Sequence, residues 1–311
     1  MSDFRCGYVA LIGRPNAGKS TLLNQILGSK LAITSAKPQT TRDRIVGIFN
    51  DDQTQAILLD TPGIHRAWTE LNKAMVKQAM DSLKDADAAV WIVDMSVYAA
   101  RIKAEAPILD EEDLELAAAL VESKTPVILV TNKIDIVPPH LTLPVIDAWT
   151  QALELAAAVP ISALKGDGVE ALQGEIRRAL PVAPALYPQE EWADVTERFL
   201  VAEIIREKIF HLTEQEVPYA AFVEVEQFDE SERETNNRVR IFARIGLERA
   251  SQKGIIIGKG GEMLKRIGTL ARKEIQGVLE CKVHLDLHVS VVPDWSRTAR
   301  GLKRAGYRYD K

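Results

Sequence analysis

The sequence predicts an α/β fold built on a mainly parallel sheet in its first half, followed by a smaller α+β domain. Three observations carry that prediction. Apolar strand-like runs alternate with helical segments through residue 180, three prolines fall within Pro181-Val182-Ala183-Pro184-Ala185-Leu186-Tyr187-Pro188, and two alternating segments around a polar turn follow. A length of 311 residues suits two domains better than one. The boundaries read as 1–180, a linker over 181–195, and 196–311.

The first strand is Tyr8-Val9-Ala10-Leu11-Ile12, and helical spacing resumes at Thr21-Leu22-Leu23-Asn24-Gln25-Ile26-Leu27. Between them stands Gly13-Arg14-Pro15-Asn16-Ala17-Gly18-Lys19-Ser20, the G-x-x-x-x-G-K-[ST] pattern with a strand before it and a helix after. An ordinary βα turn matches such a context rarely. Its glycines let backbone N–H groups curl around phosphate oxygens, and the helix N-terminus adds a favourable dipole. Lys19 then reaches the β- and γ-phosphates and Ser20 ligates Mg²⁺. Gly13, Asn16, Ala17, Gly18, Lys19, Ser20 and Thr21 are the phosphate-side candidates.

Residues 31–44 are polar and lack periodicity. Thr40 and Thr41 lie in this loop, which is expected to order around γ-phosphate and Mg²⁺. Thr41 is the expected metal ligand, with Thr40 the fallback. Strands Ile45-Val46-Gly47-Ile48-Phe49 and Gln55-Ala56-Ile57-Leu58-Leu59 read as a hairpin through Asn50-Asp51-Asp52, ending in Asp60-Thr61-Pro62-Gly63. Alone, that last tetrapeptide is a turn. About forty residues after a phosphate loop, Asp60 is placed to hold Mg²⁺ through water, and Gly63 to swing its N–H onto a γ-phosphate.

A helix over 71–83, a strand over 88–94 and a helix over 111–122 lead to the strand Pro126-Val127-Ile128-Leu129-Val130, which ends in Thr131-Asn132-Lys133-Ile134-Asp135. A carboxylate set edge-on accepts from both N1–H and the exocyclic amine of guanine. Adenine offers neither and leaves that carboxylate unsatisfied, so such a site rejects it. Asp135 is the expected reader, with Asn132 and Lys133 bracing the loop and covering the base. A helix over 141–157 and the strand Ala158-Val159-Pro160-Ile161 come next. Then comes Ser162-Ala163-Leu164-Lys165, whose Ala163 N–H points at guanine O6, and a helix over 169–180. All four motifs fall at strand carboxyl ends, where open parallel sheets bind ligands.

In the second half, apolar spacing predicts a helix over 199–212. Segments 221–226 and 239–245 form a hairpin across Glu234-Thr235-Asn236-Asn237. Gly258-Lys259-Gly260-Gly261 matches the G-x-x-G loop with which KH modules clamp single-stranded nucleic acid. Lys259, Lys265 and Arg266 supply charge, and the run Ile255-Ile256-Ile257 offers an apolar floor for bases. A strand over 283–292 completes the context that separates a KH module from a plain helix-linking loop. Charge agrees: residues 251–311 carry 13 Lys/Arg against 6 Asp/Glu, although the whole chain is at −5. An anionic partner for the C-terminal part follows.

No apolar run approaches a membrane span, the N-terminus lacks a signal-peptide pattern, and Cys6 and Cys281 form neither a disulfide framework nor a metal site. A reducing, cytoplasmic setting is expected. The five histidines are scattered, which leaves no added catalytic constellation for a nucleotide-dependent modifying enzyme.

From residue 7 to 307 the chain resembles the Era family, bacterial GTPases with a Ras-like P-loop GTPase domain and a C-terminal type II KH domain. The residues carrying the resemblance are Gly13 to Ser20, Gln39-Thr40-Thr41-Arg42-Asp43, Asp60 to Gly63, Asn132 to Asp135, Ser162 to Leu164 and Gly258 to Gly261. It implies a monomer that hydrolyses GTP with Mg²⁺, binds 16S rRNA near its 3′ end during small-subunit assembly, and associates peripherally with the inner membrane. One departure from Ras-like enzymes matters. Ile64 and His65 follow Gly63, where those enzymes carry a water-orienting glutamine, so unaided hydrolysis is expected to be slow. Related GTPases lacking that glutamine use K⁺, and Asn16 is the expected ligand here. The competing reading is an RNA-binding scaffold whose guanine nucleotide is structural and never turned over.

Overall fold

Nine residues, Arg5–Gly13, form the central strand β1 of the first sheet. The computed structural model describes residues 4–34, 37, 42, 45–63, 79–298 and 301–302. Beside β1 lie β2 (Ile45–Asn50), β3 (Thr54–Asp60), β4 (Ala88–Asp94), β5 (Val127–Asn132) and β6 (Ala157–Ile161), in the order β2-β3-β1-β4-β5-β6. Among these strands only β2 runs antiparallel to its neighbour, through a hairpin at residues 51–53, one residue later than the expected Asn50-Asp51-Asp52. Strands buried on both faces read as unbroken apolar runs, and Ala89-Val90-Trp91-Ile92-Val93 is fully buried. Helices α1 (Lys19–Leu27), α2 (Met95–Lys103), α3 (Glu111–Ser123), α4 (Thr142–Ala152) and α5 (Val169–Ala179) accompany the sheet. The core on one side is keyed by Trp91 and Trp149, packed edge to face with ring centroids 5.4 Å apart.

Two elements differ from expectation. The helix expected over 141–157 stops at Ala152, and Leu153 turns extended at φ −153°. Ala157 and Ala158 instead pair with Ile128 and Leu129 of β5. Alanine's helical propensity is a few tenths of a kcal/mol, which strand pairing overrides. Helix α2 was not foreseen, although Asp94 caps it by accepting the Ser96 N–H at 2.9 Å. Of the helix expected over 71–83, residues 79–83 are helical and the rest lie outside the described residues.

The proline-rich stretch is not a free tether. The first unit runs through Asp194 and the second begins at Val195. Cys6 N–H donates to Pro181 O (3.1 Å), Ala183 N–H to Phe4 O (3.1 Å), and Ile48 N–H to Trp192 O (2.9 Å), which covers the edge of β2. Buried Gln55 fastens the middle: its Oε1 accepts the Leu186 and Tyr187 N–H groups and its Nε2 donates to Tyr187 O.

The second unit carries α6 (Glu197–Leu212), β7 (Ala221–Asp229), β8 (Arg238–Leu247), α7 (Ala250–Ile257), α8 (Glu262–Leu279) and β9 (Lys282–Val291). The sheet order is β7-β8-β9, antiparallel then parallel. Ile267, Ala271 and Ile275 of α8 share one face and pack with Ile241, Ala243 and Ile245 of β8. Ile33, Thr34 and Lys37 also belong to this unit. Thr34 N–H donates to Glu207 Oε1 at 3.3 Å, and the Lys37 ammonium donates to the carbonyls of Phe210 and Thr213.

Candidate functional site

Three of the four first-unit motifs converge on one buried side chain. Asn132, at the end of β5, donates from Nδ2 to Ala17 O (2.7 Å), while its Oδ1 accepts the N–H groups of Lys133 (2.8 Å) and Ala163 (2.9 Å). It thereby ties the phosphate loop, the Asn132-Lys133-Ile134-Asp135 turn and the Ser162 loop together. Gly18 sits at φ 100°, and a Cβ there would lie 2.2 Å from Asn132 Nδ2. Only glycine lets the loop close against this asparagine. The Ala163 N–H, read as a guanine O6 donor, is engaged by Asn132 here. The exposed Leu164 follows it, an apolar side chain at the loop tip.

Lys19 is buried, and its Nζ donates to Gly13 O (3.1 Å) and Arg14 O (3.2 Å), so the loop's own carbonyls hold it in place. Burial pushes its pKa down to about 8, only partly opposed by Asp60. An arriving phosphate favours the ammonium and opposes that shift. Ser20 Oγ donates to Asp60 Oδ2 at 2.8 Å, and Asp60 is fully buried at the end of β3. A hydroxyl and a carboxylate side by side are hard oxygen donors of the kind Mg²⁺ takes when it also binds phosphates. Thr61 Oγ1 anchors the following turn on Leu11 O (2.8 Å). A Cβ on Gly63 would meet Pro15 N at 2.7 Å, so the Thr61-Pro62-Gly63 turn lies against the phosphate loop. Thr40, Thr41, Ile64 and His65 lie outside the described residues.

Asp135 lies in a single 3₁₀ turn, Ile134–Ile136, entered through Lys133 at φ 69°. Its side chain is only 10% exposed, with Lys165 Nζ 3.9 Å away. Lys133 Nζ reaches back to Asp94 Oδ2 at 2.5 Å. The sequence reading missed this role of Asp94; the signal was an Asp-x-Ser cap at a strand end. It also missed the setting of Arg14. That guanidinium lies 2.5 Å from Asp110, 3.1 Å from Glu112 and 3.2 Å from Asp113, at the start of α3. Burial alone would lower the Arg14 pKa, but the Asp110 hydrogen bond and the neighbouring carboxylates raise it overall.

In the second unit, Gly258 (φ 72°), Gly260 (φ 61°) and Gly261 (φ 83°) form the loop between α7 and α8. A Cβ on Gly258 would strike Met263 Cβ at 2.8 Å, whereas Gly260 and Gly261 face open space. The first glycine serves packing. The other two hold left-handed backbone in the open, where a phosphate can approach. Lys259, Lys265 and Arg266 are exposed around it. Of the three isoleucines, Ile256 is core, Ile257 is half-buried and Ile255 is exposed, so the expected floor is reduced to the last two.

Residues 8–133 match the family described as 50S ribosome-binding GTPase, and residues 216–296 match the KH domain. GTPase Era of Geotalea uraniireducens (strain Rf4) is 49% identical over 305 residues, covering 98% of each chain. The chain belongs to the Era family of GTPases. Era of Geobacter metallireducens is 48% identical over 309 residues, covering 99% of this chain and all of its own. Era from Aquifex aeolicus bound to GDP and aluminium fluoride matches with a TM-score of 0.91 at 39% identity, over 98% of this chain and 100% of that one. An Era complex with MgGDPNP and nucleotides 1506–1542 of 16S ribosomal RNA gives 0.90 at 38% identity, with the same coverage. The α/β unit is thus the Era GTPase domain and the α+β unit its KH domain.

Proposed function

We propose that this Era-family GTPase hydrolyses GTP and uses its nucleotide state to control its grip on the 3′ end of 16S rRNA while the small ribosomal subunit is assembled. The observation that carries the reading is Asn132, which binds the phosphate loop to the base-reading turn within a chain that also holds an open G-x-x-G loop. Asp135 accepts from guanine, and Lys133, braced by Asp94, lies over the base. Lys19 donates to β- and γ-phosphate oxygens, and Gly63 N–H meets the γ-phosphate. Ser20 and Asp60, hydrogen-bonded to each other, would hold Mg²⁺ together with Thr41. When bound, that ion neutralises charge on the transferring phosphoryl group.

The nucleophile is water, and the products are GDP and phosphate. Asn16 is exposed in the phosphate loop at φ 63°, and its Oδ1 would hold a K⁺ ion whose charge would take the place of an arginine finger. Thr34 and Lys37, a few residues before Thr41, hydrogen-bond within the KH-bearing unit, which supports coupling between loop ordering and RNA affinity. Linkage then requires RNA to tighten GTP as much as GTP tightens RNA.

The two cysteines are free and buried, in keeping with a reducing cytoplasm. No helix among the described residues is long and apolar enough to cross a membrane, so inner-membrane association would be peripheral. Single-turnover hydrolysis of prebound GTP tests the reading. Absence of any phosphate release, with or without 3′-end 16S rRNA, would establish the scaffold alternative.

A further inference from the structure

The phosphate loop is held from two sides, and its second residue supplies the less obvious hold. On the inner side, Asn132 Nδ2 donates to Ala17 O. On the outer side, the Arg14 guanidinium forks onto Asp110, Nη1 donating to Oδ2 (3.2 Å) and Nη2 to Oδ1 (2.5 Å). Two-point contact of this kind fixes orientation as well as distance. Glu112 and Asp113 stand 3.1 and 3.2 Å from the same guanidinium.

The anchor is itself rigid. Asp110 caps α3 by accepting the Asp113 N–H at 2.8 Å. Asp113 is fully buried, and its carboxylate accepts from the Tyr98 hydroxyl (3.0 Å) and from Arg101 of α2 (2.5 Å). Arg101 pairs with Asp110 as well. The cap and Arg101 already order these carboxylates, so the start of α3 is a fixed point to which Arg14 ties the loop.

What the tie controls is the loop's outer turn. Arg14 O accepts the Ala17 N–H (3.3 Å) and Lys19 Nζ (3.2 Å), closing a turn over Arg14-Pro15-Asn16-Ala17. Proline fixes its own φ and restricts the residue before it, so the placement of Arg14 passes to Asn16 with little slack. Pro15 is also where the Gly63 turn lies, since a Cβ on Gly63 would stand 2.7 Å from Pro15 N and 2.8 Å from its Cα. The N–H groups at the start of α1 cradle the α- and β-phosphates whichever nucleotide is bound. The outer turn instead faces the segment expected to meet the γ-phosphate.

We propose that Arg14 is a positioning residue for hydrolysis: by tying the outer turn to the start of α3, it sets the gap between Pro15-Asn16 and the Gly63 turn in which the γ-phosphate reacts. It rests on the hydrolytic reading above. GDP does not fill that gap, so the tie acts on turnover and on triphosphate against diphosphate, and leaves guanine-nucleotide binding as such alone.

The test compares wild-type full chain with Arg14→Gln, Asp110→Asn/Glu112→Gln, and all three changes combined. Asparagine at position 110 retains a capping oxygen. Arg14→Gln should lower kcat about tenfold, in line with the cost of small misplacements at a reacting centre, while GDP affinity stays within about twofold. The ratio of GDPNP to GDP affinity should fall about threefold, the scale of a partly exposed ion pair. Asp110→Asn/Glu112→Gln should reproduce both effects and the combined variant add nothing, because each removes the same tie. Arg14→Lys keeps the charge without the fork and should recover part of the rate.

A merely structural contact moves GDP affinity, GDPNP affinity and melting temperature down together. That outcome, an unchanged kcat in Arg14→Gln, or additive losses in the combined variant overturns the proposal. Wild-type protein that releases no phosphate removes the hydrolytic reading instead. The tie is then judged on the GDPNP to GDP ratio, which a fall in Arg14→Gln sustains and an unaltered value rejects. If Arg14→Gln does not fold, Arg14→Lys and Glu112→Gln are read by the same ratio and the same rule.

Discussion

Asn132 and Ala17 are joined by a buried 2.7 Å hydrogen bond between the end of β5 and the phosphate loop. Base recognition and phosphate recognition are therefore mechanically one site. Asn132→Ala removes that bond and strips the Lys133 and Ala163 N–H groups of their acceptor. Each unmet buried group costs about 1–3 kcal/mol. GTP and GDP affinity should fall together by at least about tenfold, and the melting temperature should drop. Titration of both nucleotides, with calorimetry of the variant, checks this. A loss confined to one nucleotide would show that the loops are not coupled through Asn132.

Asp135 is the proposed reader of the base. Asp135→Asn exchanges an acceptor for a donor facing guanine's donors, so GTP should bind about a hundredfold more weakly, in line with sites that leave a ligand group unpaired. Xanthosine triphosphate, which offers an acceptor there, should gain. Competition binding of the two triphosphates measures the switch, and undiminished GTP binding would remove Asp135 as the reader.

Asp94 has two tasks that substitution can separate. It caps α2 through the Ser96 N–H and it fixes Lys133 Nζ. Asp94→Ser keeps a capping oxygen but loses the charge that holds the lysine, so guanine nucleotides should dissociate faster at nearly wild-type stability. Asp94→Ala loses both, with a further cost of about 1 kcal/mol for the cap. Stopped-flow release of a fluorescent GDP and thermal melts distinguish the two variants. Equal dissociation rates in wild type and Asp94→Ser would confine Asp94 to capping.

What was legible in the sequence follows from where each constraint is local. The strand–loop–helix at Gly13 to Ser20 and the G-x-x-G loop are set by residues within a turn of one another, and the structure places them as expected. The helix expected over 141–157 failed at Ala152 because alanine is compatible with either state, and pairing with β5 decides between them. The attachment of residues 181–194 was invisible because it depends on Gln55 and the edge of β2, more than a hundred residues earlier. The partners of Arg14 at Asp110, Glu112 and Asp113 are likewise non-local, since nothing in the phosphate-loop pattern specifies where its second residue points.

Replacement of Lys259 and Gly260 by Asp should leave GTP affinity intact while affinity for a short single-stranded RNA falls. Gly260 faces open space, so the change adds repulsion without a packing clash. It does place a side chain at φ 61°, a conformation that Asp tolerates better than most residues. A folded variant with full affinity for the short RNA would show that the loop is a bare helix connection.

Asn16 is the sharpest case, because its backbone supplies a complete rival explanation. It adopts φ 63°, and asparagine is enriched in that conformation, so the turn alone accounts for the residue. Glycine adopts the same backbone without an Oδ1. Asn16→Gly therefore keeps the backbone turn and removes the candidate K⁺ ligand. If Asn16 holds the ion, wild-type hydrolysis is faster in KCl than in NaCl at equal ionic strength. A preorganised charge at the transferring phosphate is worth about tenfold or more. Asn16→Gly should bind GTP normally but turn it over at one slow rate in either salt. Identical wild-type rates in the two salts would dismiss the ion. A K⁺ advantage surviving in Asn16→Gly would place the ion on other ligands and return Asn16 to its role in the turn.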